Sequence, residues 1–229
     1  MPTIVDEEFG EIAVRRSSRA SSVRIRVAPD GRLRASLPLY APLYLVKRLV
    51  KSSREELREM LEDSKTTKVY TNGMQIGKSH TLIVREVGPF SVRRHGQQLI
   101  VSLPDGMTLD DPTVTRAIRD GVIAALRVEA KSYLPKRLSF LAEKYGFSYQ
   151  RVRFSHASGR WGSCSSEGTI SLNIALMNLP FELIDYVIIH ELSHTQHMNH
   201  SEDFWRGVER CIPQYKLARR TLREHSPAI

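Results

Sequence analysis

Two periodicities divide this chain. Alternation with a period of two, the mark of half-buried strands, prevails early, and helical spacing prevails later. Ser22-Val23-Arg24-Ile25-Arg26-Val27 alternates, Pro29-Asp30-Gly31 turns the chain, and Arg32-Leu33-Arg34-Ala35-Ser36-Leu37-Pro38 alternates back. That pattern predicts a β-hairpin with one buried face. A helix is predicted over residues 42 to about 62, with Leu45, Leu49, Leu57 and Leu61 inward. Further strands are expected at 81–87, 91–94 and 98–103. A second Ser-Leu-Pro, at Ser102-Leu103-Pro104, again ends a strand ahead of a helix, which suggests a degenerate repeat of hairpin and helix.

Asp110-Asp111-Pro112-Thr113 is a good helix opening. Ile118, Val122, Leu126, Leu134, Leu138 and Leu141 then carry a helical stripe to about residue 145, with a kink expected at Pro135 and a stop at Gly146. Strands follow at 150–155 and 169–174. Another helix starts at Pro180, with acidic Glu182 and Asp185 early and Leu183, Ile184, Val187 and Ile188 on a core-facing side. Ser201 reads as the N-cap of a closing helix through Phe204, Trp205, Val208 and Cys211. The whole predicts an α+β fold. A β-rich region, residues 1–112, with a basic hairpin and one helix, precedes a domain of residues 113–229. That domain comprises a kinked long helix, a small sheet and two further helices.

The most informative chemistry lies in His190-Glu191-Leu192-Ser193-His194, with His200 after it. Side chains four apart on a helix stand one turn above each other, roughly 5–6 Å apart at Cβ. His190 and His194 can therefore address one ion. Glu191 sits around the helix from them, placed to accept a proton from a water activated there without being a ligand. Zinc lowers the pKa of a water it holds to about 7, which suits hydrolysis of a polarised carbonyl. A third ligand must come from a chain reversal. His197 on a continued helix would lie about 10 Å from His190 along the axis, too far for one ion. Met198-Asn199 offers an exit, since Asn tolerates the left-handed conformation that ends helices. His200, at the mouth of the next helix, is the expected third ligand, and His197 is second choice, with a place near the substrate.

The run Arg160-Trp161-Gly162-Ser163-Cys164-Ser165, then Ile170-Ser171-Leu172-Asn173, Leu179-Pro180, Asp185-Tyr186-Val187-Ile188, the His-Glu-Leu-Ser-His segment, His200-Ser201 and Phe204-Trp205 resembles the YgjP-like branch of the SprT-like zinc metallopeptidases. The likeness covers most of residues 116–215 and is looser before them. It implies a zincin-like core over 113–229 and a metal-dependent hydrolase, most naturally a peptidase acting on proteins or peptides. It also implies Zn2+ on His190, His194 and His200, with Glu191 as the catalytic glutamate. Ile174 stands where relatives often carry an aromatic, a departure on the substrate-side strand and not at the metal. The strand ahead of the metal helix could offer its edge to an extended peptide.

Composition narrows the setting. At 229 residues and 41% hydrophobic, the chain can bury a sizeable core. No apolar run nears the roughly 20 residues that span a bilayer, and the acidic start lacks the features of a signal peptide. Two cysteines, Cys164 and Cys211, make no disulfide framework and read as packed small residues. A cytoplasmic protein with no membrane association is expected.

The net charge of +9 is spread along the chain, but seven arginines lie between residues 15 and 34 against the single acid Asp30. Arg24, Arg26, Arg32 and Arg34 should emerge on one sheet face, where an anionic partner such as nucleic acid would relieve their repulsion. A solvated arginine-rich face is the plainer reading, favoured by the lack of interleaved aromatics. Gly159 and Gly162 read as a turn carrying Arg160, able to clamp a carboxylate or phosphate, and Trp161, able to wall a cleft. His156, Tyr186 and Tyr215 are candidates for stabilising an oxyanion. Two other readings stay open: the same metal centre hydrolysing nucleotide phosphoanhydrides, and a nucleotide- or nucleic-acid-binding protein with a structural metal.

Overall fold

The early alternation folds into a four-stranded sheet. The computed structural model describes residues 2–18, 20–28, 32–65 and 69–229. Strands β1 (Thr3–Asp6), β2 (Gly10–Ser17), β3 (Arg24–Val27) and β4 (Leu33–Pro38) form a sheet in the order β1-β2-β4-β3. The predicted hairpin is β3 and β4, antiparallel, while the Pro29-Asp30-Gly31 turn lies outside the described residues. Ile12, Val14, Leu33, Ala35 and Leu37 line the buried face. The predicted single helix is two, α1 (Tyr44–Ser52) and α2 (Arg54–Lys65), broken at Ser53. Its core side also differs: Val46 and Val50 are buried while Leu45 and Leu49 are half-buried. The break releases α2 from the rotational phase of α1, so Leu57 reaches the core without a continuous leucine stripe. Arg24, Arg26, Arg32 and Arg34 are exposed, with Arg26 opposite Arg34. Arg32 and Arg34 are engaged within the chain, and nothing among the described residues calls for an anionic partner there.

The same topology recurs. β5 (Gln75–Ile76), β6 (His80–Arg85), β7 (Ser91–His95) and β8 (Gln98–Ser102) form a sheet in the order β5-β6-β8-β7. As in the first sheet, the central pair is parallel and the outer pairs antiparallel. The repeated Ser-Leu-Pro marks the end of the equivalent strand each time. The second sheet packs on α3 (Pro112–Tyr145): Leu82, Leu99 and Val101 share a buried core with Ile118, Val122, Leu126, Leu134, Leu138 and Leu141. For that reason the compact units are Met1–Val69 and Tyr70–Ile229, where the sequence pattern drew its boundary at 112. α3 runs through Pro135 as one helix and ends at Gly146.

After α3 come β9 (Arg151–Ser155), β10 (Gly162–Cys164) and β11 (Thr169–Asn173), then a 3₁₀ turn (Ile174–Asn178). Helices α4 (Phe181–Ser193), α5 (Glu202–Cys211) and α6 (Tyr215–Leu222) complete the fold, which is α+β as expected. The three strands pair in the order β10-β11-β9. Two expectations change here. Gly162 opens a strand and is not in a turn, and β11, the strand ahead of the metal helix, is central, leaving β10 and β9 as the edges. No helix among the described residues is long and apolar enough to cross a membrane.

Candidate metal centre

α4 supplies the first half of the site. Pro180 precedes it, Glu182 lies in its first turn, and Leu183, Ile184, Val187 and Ile188 are buried in the core. The bidentate Arg137–Asp185 pair, with bonds of 2.7 and 2.5 Å, ties α4 to α3. The helix stops at Ser193, earlier than the Met198-Asn199 exit expected from sequence. Hydrogen bonds from the Thr195, Gln196 and His197 amides to Leu192 and Ser193 carbonyls close the turn. No described residue other than glycine has positive φ, so Asn199 does not use the left-handed conformation. The chain then reverses into α5, where Ser201 Oγ accepts from the Phe204 amide, the cap predicted from sequence.

This reversal brings three imidazoles together. One candidate ligand atom each from His190, His194 and His200 lies within 4.8 Å of the others. His190 Nε2 and His200 Nε2 are 3.1 Å apart. Two nitrogens each about 2.0–2.1 Å from a tetrahedral ion would stand about 3.3 Å apart, so the observed spacing fits one shared zinc-sized cation. His194 Nδ1 lies 3.1 Å from the His197 carbonyl, so that nitrogen is the protonated one and Nε2 is left with its lone pair. His197 thus contributes its backbone to the site, and its ring is not among the three. Phe204, fully buried, packs against all three rings at 4.6–5.0 Å between centroids. Trp205 stacks on His200 at 5.5 Å.

Electrostatics favours the neutral form of two of the three rings. Burial, with His194 and His200 nearby, pushes His190 down to about 3. Burial likewise lowers His200, helped by His194 and Arg219. Lowered basicity favours the neutral ring at His190 and His200, and the neutral ring is the form that binds a metal.

Glu191, next around the helix from His190, packs against β10. A Cβ on Gly162 would lie 2.7 Å from Glu191 Cγ and Oε1, so this approach requires glycine. Burial pushes the Glu191 carboxyl up to about 8, with Arg160 opposing. A cleft of about 190 Å³ opens here, lined by Trp161, Gly162, Tyr186, Val187, His190, Glu191 and Leu222. Its β10 wall is held by Asn173, fully buried, whose Nδ2 donates to the carbonyls of Ala157 at 2.7 Å and Arg160 at 2.9 Å.

Of the residues singled out from sequence, His190, Glu191, Trp161 and Tyr186 line the cleft, and His194 and His200 complete the cluster. Arg160 flanks the cleft closely enough to act on Glu191. His156 instead lies 3.3 Å from an Arg127 nitrogen, and Tyr215 stacks under Trp205 at 5.3 Å. Cys164 and Cys211 are free thiols outside the cluster. Sequence reasoning missed Gly162 as a spacer, Phe204 as the floor beneath the imidazoles, Asn173 as a clamp, and Arg219. Only Asn173 carried a signal, the one amide closing a strand of alternating hydroxyl and apolar residues.

Comparison with known proteins gives the family. The model of the YgjP-like metallopeptidase domain matches residues 21–225. No curated protein matches. Among solved structures, the metallopeptidase zymogen of Pyrococcus abyssi abylysin is 30% identical, over 39% of this chain and 92% of its own, with a TM-score of 0.36.

Proposed function

Because the chain belongs to the YgjP-like metallopeptidase family, we propose that it is a zinc-dependent peptidase, with His190, His194 and His200 as ligands and Glu191 as general base. One observation carries the reading: three imidazoles converge, and one of them, His190, lines a cleft together with the buried carboxyl of Glu191. When bound, the zinc would supply Lewis-acid polarisation of the scissile carbonyl and a water nucleophilic near neutral pH. The remaining work falls to the chain. Glu191, wedged against Gly162, would be ionised once the charge of a dication held by the imidazoles offsets its burial, and it then takes the proton of the attacking water on a carboxylate oxygen and delivers it to the leaving nitrogen. Tyr186 lines the same cleft and would serve as a hydrogen-bond donor to the developing oxyanion. Trp161 and Leu222 wall off water. β10, an edge strand beside Glu191, can pair with an extended substrate through main-chain hydrogen bonds.

On this reading catalysis belongs to residues 113–229, and residues 70–111 brace it. The two free thiols suit a reducing compartment, and the proposed setting is the cytoplasm. Three protein ligands rather than four favour a catalytic over a structural ion, and His197, the nearest candidate for a fourth, is outside the cluster. Zinc-loaded protein assayed on unfolded proteins, peptides and nucleoside triphosphates tests the reading. Peptide turnover is expected, falling at least about 10³-fold in Glu191→Gln with zinc content unchanged. Hydrolysis of triphosphates alone, or full activity in Glu191→Gln, would refute it.

A further inference from the structure

Two arginines flank the cleft, although no cation lines it. Arg219 sits on α6 four residues after Tyr215, so both reach the same side of the helix. The Tyr215 ring stacks on Trp205 at 5.3 Å, and the Arg219 guanidinium lies 4.8 Å over the same indole. Since Trp205 also stacks on His200, a chain of planar groups leads from the imidazole cluster to Arg219. Leu222, three residues further along α6, lines the cleft itself. Across the cleft, Arg160 stands between Gly159 and cleft-lining Trp161, on backbone clamped by Asn173. Neither arginine has an ion pair or side-chain hydrogen bond to an acid among the described residues. Both are exposed.

Exposed arginines are ordinary on a basic protein. Arg219 differs in being held by stacking on Trp205, and Arg160 in rising from a clamped backbone next to cleft-lining Trp161, both beside a cluster suited to a dication. Glu191 is the one carboxylate lining the cleft, and proton transfer occupies it. Stacking on indole also leaves the guanidinium edge free to donate.

We infer that Arg160 and Arg219 flank the cleft to hold a carboxylate of the substrate, so that the preferred peptide is acidic next to the cleaved bond. The inference rests on the peptidase reading and names its substrate class.

Binding tests it apart from turnover. Zinc-loaded Glu191→Gln protein would be titrated with peptide pairs differing only in Glu or Asp against Gln or Asn. The acidic member is expected to bind about tenfold tighter, the size of one charge-assisted contact. Adding Arg219→Gln or Arg160→Gln should shrink that preference to about twofold or less, while Arg219→Lys should keep part of it. Thermal melts of each variant confirm folding. Equal affinity within the pairs, or a preference that survives both Gln substitutions, overturns the inference. Failure of the wild type to cleave any peptide would overturn the peptidase reading instead, since the binding ratio does not depend on turnover.

Discussion

At the scale of single residues, the site depends on what is small as much as on what is reactive. Gly162 is the clearest case, because the carboxyl of Glu191 occupies the space a Cβ would need. Gly162→Ala should displace that carboxyl while leaving the three imidazoles in place. A shift of about 1 Å in a catalytic group can cost about a hundredfold in rate. Peptide turnover should drop by that order with zinc content and melting temperature nearly unchanged, and an active Gly162→Ala enzyme would refute the spacer role. Phe204 acts through packing: its ring touches all three imidazoles and limits the directions they can face. Neither role can be read from the identity of glycine or phenylalanine, which occur as freely in turns and cores.

Between elements, the second sheet braces the start of the metal helix through a buried carboxylate. Glu129 on α3 accepts from the amides of Lys78, Ser79 and His80, from Ser79 Oγ, and from His80 Nδ1 at 2.6 Å. The same loop reaches the residues just before α4, with the Gly77 amide donating to Asn178 Oδ1 and Lys78 Nζ to the Leu179 carbonyl. Gly77 is required, with φ of 60° and only 2.2 Å between its ideal Cβ position and Glu129 Oε2. Burial pushes the Glu129 carboxyl up, yet hydrogen bonds from His80, Lys78 and Ser79 outweigh it and hold the group below 4.5. A depressed folded-state pKa means stability present above pH 4.5 and lost as pH falls through the folded value. Glu129→Gln should therefore destabilise the protein by about 3 kcal/mol at neutral pH, the cost of breaking a buried charged network. It should also flatten the acid limb of a melting-temperature profile, and an unchanged limb would show that the carboxylate is dispensable.

For the molecule as a whole, the three imidazoles belong to the end of α4 and the return into α5, so an ion held by them would link the last turn of one helix to the start of the next. Binding to the folded state alone adds about 4 kcal/mol of stability when the metal stands at a thousand times its dissociation constant. Chelation should then lower the melting temperature by roughly 10 °C. His200→Ala should abolish the difference between zinc-loaded and chelated protein, whereas Glu191→Gln should keep it. A melting temperature indifferent to chelator would mean the imidazoles hold no ion. The recurrent sheet topology belongs to this scale too. A repeated Ser-Leu-Pro hinted at it, but the shared strand order emerges only from pairings between distant residues.

How much of this was legible in the chain follows from the range of the interactions involved. Local spacing is enough to place His190 and His194 one turn apart with Glu191 beside them, because helix geometry is set by the backbone. Ser201 as a cap, the apolar stripe of α3 and the β3–β4 hairpin are local in the same sense, and all are found. Where contacts between distant segments decide, the pattern misled or fell silent. Ser53 breaks a helix that leucine spacing made continuous, and Gly162 joins a sheet edge where two glycines suggested a turn. The second sheet leaves the β-rich region to pack on α3, since a buried face goes to whichever apolar surface the folded chain presents. The sequence by itself determined the reactive groups and their local phase. Tertiary structure alone decided that His200 meets His190 at 3.1 Å, that Gly162 lies against Glu191, and that Arg219 stands near the ligands, because each joins backbone segments whose separation only packing can set.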